Sequence, residues 1–207
     1  MLNKKFQTSL LHHNDIDKDR PLRFIEELRS LGFTEEEERK LRESLAWHIY
    51  KKGHTINGRN EIMQNRFYVI RGAARSYYIE KGKEFNYSFS FAGQFILLPF
   101  SVMENNREVY VQFLEETEVC YIPTKQDKNN YPSLDSAKFM MALNMAYKHH
   151  IAELEEKLFM LRRDAKDRYQ WIIERHPHIL EVVSITQLAS FLNVTKETLY
   201  RIRSGKY

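Results

Sequence analysis

Apolar positions along this chain change their period more than once. Between Pro21 and Leu45 they recur at helical spacing, with Leu22, Ile25, Leu28 and Leu31 in one run and a second run starting at Thr34. Such spacing gathers apolar side chains on one helix face, and Thr34, followed by a Glu-rich turn, can cap the second helix. From Ala46 to Pro123 the period drops to two. The clearest case is Phe85, Tyr87, Phe89 and Phe91 alternating with Asn86, Ser88 and Ser90, the pattern of a half-buried strand. Turn signals at Lys52-Gly53, Asn57-Gly58, Gly72, Lys81-Gly82-Lys83, Ala92-Gly93, Asn105-Asn106 and Glu115-Glu116 divide this region into short strands. A small antiparallel barrel or jelly roll is expected.

Strand signals stop after Pro132. Ser136 to His176 contains neither Gly nor Pro, which predicts a long helix broken once near Arg163 to Lys166. Its apolar positions follow a heptad: Ala137, Asn144, Ile151, Leu158 and Ala165 share one core position, and Met140, Tyr147, Leu154 and Leu161 share the other. A helix lying against its own barrel would also carry an apolar stripe. The lone amide of Asn144 favours a partner helix, because a polar residue in such a seam fixes register and a two-stranded state. A homodimer is expected, with Met140, Asn144, Tyr147, Ile151, Leu154, Leu158 and Leu161 as its seam.

The last two dozen residues show a third pattern. Ala189 stands where two crossing helices leave room only for a small side chain, and Leu188, Leu192, Val194, Leu199 and Ile202 supply a shared core. Asn193 occupies the turn, where the left-handed conformation must be tolerated. Ser184 and Thr195 are placed to cap the two helices. The spacing predicts a helix-turn-helix over Ser184 to Tyr207. Its second helix turns Lys196, Glu197, Thr198, Tyr200, Arg201 and Arg203 outward, and with Ser184, Thr186 and Thr195 these form the candidate DNA-contacting set. Arg can pair bidentately with guanine, Glu can accept from a cytosine amino group, and Lys and Thr more often hold phosphate oxygens.

Composition narrows the choice. At 207 residues, with 43% apolar and 29% charged residues and only 7 Gly and 5 Pro, the chain is an ordinary globular protein long enough for two domains. Arg162 to Tyr207 holds nine Lys/Arg against five Asp/Glu, which equals the whole net charge of +4. Cys120 is the sole cysteine, so neither an internal disulfide nor an iron-sulfur cluster with four ligands from one chain can form. Met1 to Arg20 lacks a signal-peptide pattern, and no apolar run reaches ~18 residues. A cytoplasmic protein without a membrane partner is expected.

The chain as a whole resembles the Crp/Fnr superfamily of bacterial regulators. The segment Thr195-Lys-Glu-Thr-Leu-Tyr-Arg-Ile is similar to the family's Ser/Thr-Arg-Glu-Thr-Val-x-Arg-Ile, so the resemblance makes Lys196, Glu197 and Arg201 base-reading positions. Lys196 replaces an Arg, exchanging a bidentate fork for a point charge. Asp164-Ala-Lys-Asp-Arg-Tyr-Gln-Trp resembles the join between the long helix and the DNA-binding domain in Bacteroidetes members. The resemblance implies a cyclic-nucleotide-binding-like sensor domain, binding to double-stranded DNA as a homodimer, and RNA polymerase as a candidate further partner.

The cyclic-nucleotide signature itself is broken. Where the family's cassette has Gly-Glu and Arg-Ser/Thr-Ala, this chain has Gly93-Gln94 and Arg107-Glu108-Val109. The ribose carboxylate is gone, and Glu108 beside Arg107 favours an internal ion pair over an anion site. Control by cyclic AMP is not expected. The candidate effector pocket comprises Phe89, Phe91, Gln94, Arg107, Glu108 and Tyr110, with Phe95 and Phe100 as further lining, and the same aromatics also suit a packed core. His48, His54, His149, His150, His176 and His178 show no ligand spacing, so neither metal nor cofactor is expected. A jelly-roll enzyme would need His and carboxylate ligands in the strand region, which offers only His48 and His54.

The expected fold is α+β: a sensor β-roll over residues 1–133, a dimerisation helix over 134–163, and a helix-turn-helix domain over 164–207. The expected function is a sequence-specific DNA-binding transcription regulator acting on an inverted repeat. The alternative is a cyclic-nucleotide- or small-ligand-sensing module that works through protein contacts.

Overall fold

The computed structural model describes residues 22–58, 65–98, 107–123 and 136–207. Met1 to Pro21, the Asn105-Asn106 turn signal, Phe100 and Pro132 lie outside the described residues, as do the side chains of Met140, Tyr147 and His149.

Two helices lead the described chain, α1 (Arg23–Ser30) and α2 (Glu35–Ser44). Thr34 starts α2 with the reciprocal cap its sequence predicts: its hydroxyl accepts from the Glu37 N–H, and the Glu37 carboxylate accepts from the Thr34 N–H at 2.8 Å. The apolar face of α1 (Phe24, Ile25, Leu28, with Leu22 before it) packs on Trp47, Tyr68 and Cys120 of the sheet beneath.

Seven strands follow: β1 (Ala46–Tyr50), β2 (Thr55–Asn57), β3 (Asn65–Arg71), β4 (Ala73–Glu80), β5 (Lys83–Phe91), β6 (Val109–Phe113) and β7 (Thr117–Pro123). They form two antiparallel sheets, ordered β1-β7-β3 and β2-β6-β4-β5. Between them lies a core of Tyr50, Phe67, Val69, Val111, Phe113 and Val119, among others. Gly72 joins β3 to β4 with φ +96°, and a Cβ there would meet Thr117 Oγ1 at 2.6 Å and the Glu116 carbonyl at 2.7 Å, so no larger residue fits. Lys81 and Gly82, both at positive φ, make the two-residue turn from β4 to β5.

The faces of β5 differ from the expectation that its aromatics line a sensor pocket. Ser88 and Ser90 pair with Ser76 and Ala74, which also oppose Val111 and Phe113, so the serines face the roll interior. Phe89 pairs with Arg75 on the outer face and joins a second core made mainly by C-terminal helices. Those helices are α3 (Ser136–Leu161), α4 (Ala165–Arg175), α5 (Ile179–Val182), α6 (Ile185–Phe191) and α7 (Lys196–Arg203). The break between α3 and α4 falls at Arg162 to Asp164, where the Asp164 carboxylate caps α4 by accepting from the Asp167 N–H at 2.8 Å. Ala165, assigned by the heptad to the seam, instead opens α4 and is buried.

Candidate nucleic-acid interface

Leu188, Leu192 and Leu199, all fully buried, and Ala189 at 2% exposure pack with Ile172, Ile179 and Val183 to form the small core that holds α6 and α7 together. A Leu at each of these positions excludes water from the crossing, and Ala189 leaves the backbones room to approach. The turn carries Asn193 at φ +52°, followed by a Val194 N–H that donates to the Ala189 carbonyl at 3.0 Å. Both helices start on hydroxyl caps. Ser184 Oγ accepts from the Gln187 N–H at 3.2 Å while the Gln187 amide oxygen accepts from the Ser184 N–H at 2.9 Å. Thr195 Oγ1 accepts from the Thr198 N–H at 3.1 Å.

With Leu199 pinned inward, the outer face of α7 follows from the 3.6-residue period. Lys196, Glu197, Tyr200, Arg201 and Arg203 are exposed, as are Ser184, Thr186 and Thr195. Thr198 departs from the expected outward set. It is half-buried, and its hydroxyl lies 3.0 Å from that of Thr195. The Glu197 carboxyl is held below its usual range by its own backbone N–H and the Thr195 hydroxyl, so it is an acceptor at neutral pH. Arg201 has Tyr207 beside it, the guanidinium 5.9 Å from the ring centroid. Tyr207 is a neighbour the sequence did not single out, since nothing in a terminal aromatic marks its partner.

The candidate effector-pocket residues are not brought together. Arg107 pairs with Glu80 at 2.9 Å rather than with its neighbour Glu108, whose carboxylate accepts from the Tyr110 hydroxyl at 2.5 Å. Glu80 at the end of β4 takes the Arg107 guanidinium, and the Tyr110 hydroxyl already engages the Glu108 carboxylate. Tyr110 stacks on Tyr77 with centroids 5.5 Å apart. Phe91 lies against His176 and Phe95 against Phe24 and Tyr68. Phe89 and Gln94 do line a cavity, but it lies between β5 and the helices, bounded also by Lys157, Trp171, His176 and Phe191. Its volume of about 40 Å³ suits one or two waters. Among the described residues no group of three His, Cys, Asp or Glu side chains could hold a metal ion.

No protein-family model and no curated protein matches the chain. Solved structures do. FixK2 from Bradyrhizobium japonicum is 20% identical with a TM-score of 0.58, over 78% of this chain and 83% of that one. A transcriptional regulator of the crp/fnr family from Eubacterium rectale is 17% identical with a TM-score of 0.60, over 85% and 84%. A CooA mutant from Carboxydothermus hydrogenoformans is 18% identical with a TM-score of 0.54, over 90% and 84%. The fold is that of the Crp/Fnr regulators.

In this Crp/Fnr fold α3 is the long helix between the roll and the helix-turn-helix. Of its expected seam, Asn144, Ile151, Leu158 and Leu161 are exposed, whereas Leu154 is half-buried. Phe159, at 63% exposure, extends the apolar face beyond the heptad positions. Among the described residues no helix is long and apolar enough to cross a membrane.

Proposed function

We propose that the protein is a sequence-specific DNA-binding transcription regulator that works as a homodimer, independently of cyclic AMP. The observation that carries this reading is the outer face of α7. A capped helix held by a buried Leu199 presents three cations, one acceptor carboxylate and a tyrosine to solvent. That is the donor and acceptor set that reads base edges and grips phosphates in a major groove. Likeness in fold to proteins described as transcriptional regulators agrees with it.

The dimer rests on α3. Ile151, Leu158, Phe159 and Leu161 leave four large apolar side chains in water on one helix, and a second copy of the same helix would cover them. Two recognition helices would then enter successive major grooves ~34 Å apart on an inverted repeat. Independence from cyclic AMP follows from Arg107, whose pairing with Glu80 occupies the cation a cyclic phosphate would need.

Selection of bound sequences from random duplexes, followed by fluorescence anisotropy on the selected site, tests the reading. An inverted repeat bound at least ~10³-fold more tightly than random DNA is the expected result. Selection that enriches no sequence would reject it in favour of a module acting through protein contacts. Sedimentation that shows only monomer at micromolar concentration, with and without DNA, would reject the dimer. Unchanged affinity on adding cyclic AMP completes the expectation.

A further inference from the structure

The helix-turn-helix of this chain rests on the outer edge of its own sensor sheet. β5 is an edge strand, and an edge leaves N–H and C=O groups without ladder partners. Ser190, near the end of α6, meets two of them. Its hydroxyl accepts from the Asn86 N–H at 3.1 Å and lies 3.4 Å from the Glu84 carbonyl. Phe191, the next residue, stacks at an angle on Phe89, with centroids 5.0 Å apart.

A second tie comes from α3. The β4–β5 ladder pairs Ser76 with Ser88 and Tyr77 with Asn86, so Tyr87 is a bulge residue. Its carbonyl accepts from the Lys157 ammonium at 3.0 Å, and the same ammonium stands 4.2 Å from the Tyr87 ring centroid and 6.0 Å from that of Phe191. Lys157 therefore touches the sensor strand and the helix-turn-helix from the long helix that separates them.

The dock is also wired into the sheet. Arg75 on β4 is only 4% exposed. It donates to Asn86 Oδ1 and Gln112 Oε1, both at 2.8 Å, and pairs with the Glu84 carboxylate at 2.8 Å. Glu84 and Asn86 are the two residues whose backbone Ser190 engages.

We propose that β5 is an intrachain dock that fixes the pose of the recognition helix, with Ser190 and Lys157 as its positioning residues and Arg75 as its link to the sensor sheet. The outer face of α7 stays uncovered in the dock, so the device sets where the reading heads point rather than hiding them. In a dimer it fixes the half-site spacing the two heads accept. A change in the sheet that shifts Arg75 moves Glu84 and Asn86, and through Ser190 it releases or re-aims the head. The spacing rests on the DNA-binding reading above, whereas the dock itself does not.

Two measurements on the full-length chain separate them. Hydrogen exchange reads the dock directly: the Asn86 amide exchanges slowly in the wild type and at least ~10-fold faster in Ser190→Ala, with the Val111, Val119 and Leu199 amides unchanged and protection restored in Ser190→Thr. An Asn86 amide that exchanges equally in wild type and Ser190→Ala overturns the proposal whether or not DNA is bound. The second measurement lengthens the selected operator by two base pairs between half-sites, about a fifth of a turn. Wild type loses ~10-fold or more in affinity, and Ser190→Ala/Lys157→Met loses less than ~3-fold while keeping its affinity for a single half-site. Equal spacing discrimination in both proteins rejects the role in aiming the heads. Absence of DNA binding by the wild type rejects the function proposed above and leaves the exchange result standing.

Discussion

Arginines in the β-roll and cations on α7 have opposite surroundings. In the roll, Arg75 pairs with Glu84, Arg107 with Glu80 and Arg71 with Glu116, each partner in the same chain. On α7, Lys196, Arg201 and Arg203 are exposed and form no close ion pair among the described residues, though the Lys196 charge helps lower the Glu197 pKa, and Arg201 has the Tyr207 ring beside it. A paired cation is neutralised by its own fold and has little reach. An exposed, unpaired cation on a rigid helix can neutralise a phosphate, and release of the counterions condensed on the nucleic acid then favours binding. The difference separates cations paired within the fold from cations that the proposed DNA contact would use.

The comparison can be broken at either end, and the largest effect belongs to the roll. Replacing the buried Arg75 by Met strands the half-buried acceptors Asn86 and Gln112 and should lower the unfolding free energy by about 3 kcal/mol in urea titration. A loss within error would mean that its three contacts are dispensable. Arg201→Ala should weaken specific DNA binding by ~1 to 3 kcal/mol and relax one base position, leaving stability and nonspecific binding nearly unchanged. Equal weakening on random DNA would reduce Arg201 to a phosphate contact.

A pH titration comes next. His176 is half-buried against Phe91, with Glu153, Glu156, Lys157, Arg175 and Phe191 lining the same cavity, and burial, with the Arg175 charge beside it, lowers its pKa to about 4. Because the folded value lies below the ordinary 6.5, the unfolded chain binds the extra proton between these pH values. Stability should therefore be complete above pH 6.5 and fall as pH drops toward 4. His176→Phe should flatten the fall in thermal midpoint, and an unaltered slope would assign the loss to other groups. Thr195→Ala removes the α7 cap and should cost about 1 kcal/mol of stability. Smallest of all, Arg107→Ala breaks a pair whose side chains are 43% and 34% exposed, worth at most ~1 kcal/mol, and should leave DNA affinity unchanged. A large loss there would erase the contrast.

How far the sequence reaches depends on how many constraints meet at a residue. The helix-turn-helix was readable because each position is forced: Asn193 by a left-handed backbone, Ala189 by close approach, Ser184 and Thr195 by unpaired N–H groups, Leu199 by burial. The strand period of β5 was equally plain, yet its sidedness was not. Alternation defines two faces, and when both are covered it does not say which meets the roll. The serine face, with Ser88 and Ser90 each 3% exposed, points inward, and the aromatic face is covered by helices about 100 residues later in the chain. Arg107 taught the same lesson, since its partner Glu80 lies 27 residues away and its neighbour Glu108 turns to Tyr110. Thr198 was assigned outward by period alone, but the cap drew its hydroxyl in.

The covering of β5 has one more consequence, for the life of the chain before it is complete. Until α6 has left the ribosome, the edge of β5 lacks its Ser190 contacts and the Phe89 ring lacks Phe191, leaving the kind of segment that pairs with a second chain and precipitates. The helix-turn-helix thus also covers the edge strand of the roll, and a fragment ending before Ile185 should aggregate where the longer chain does not.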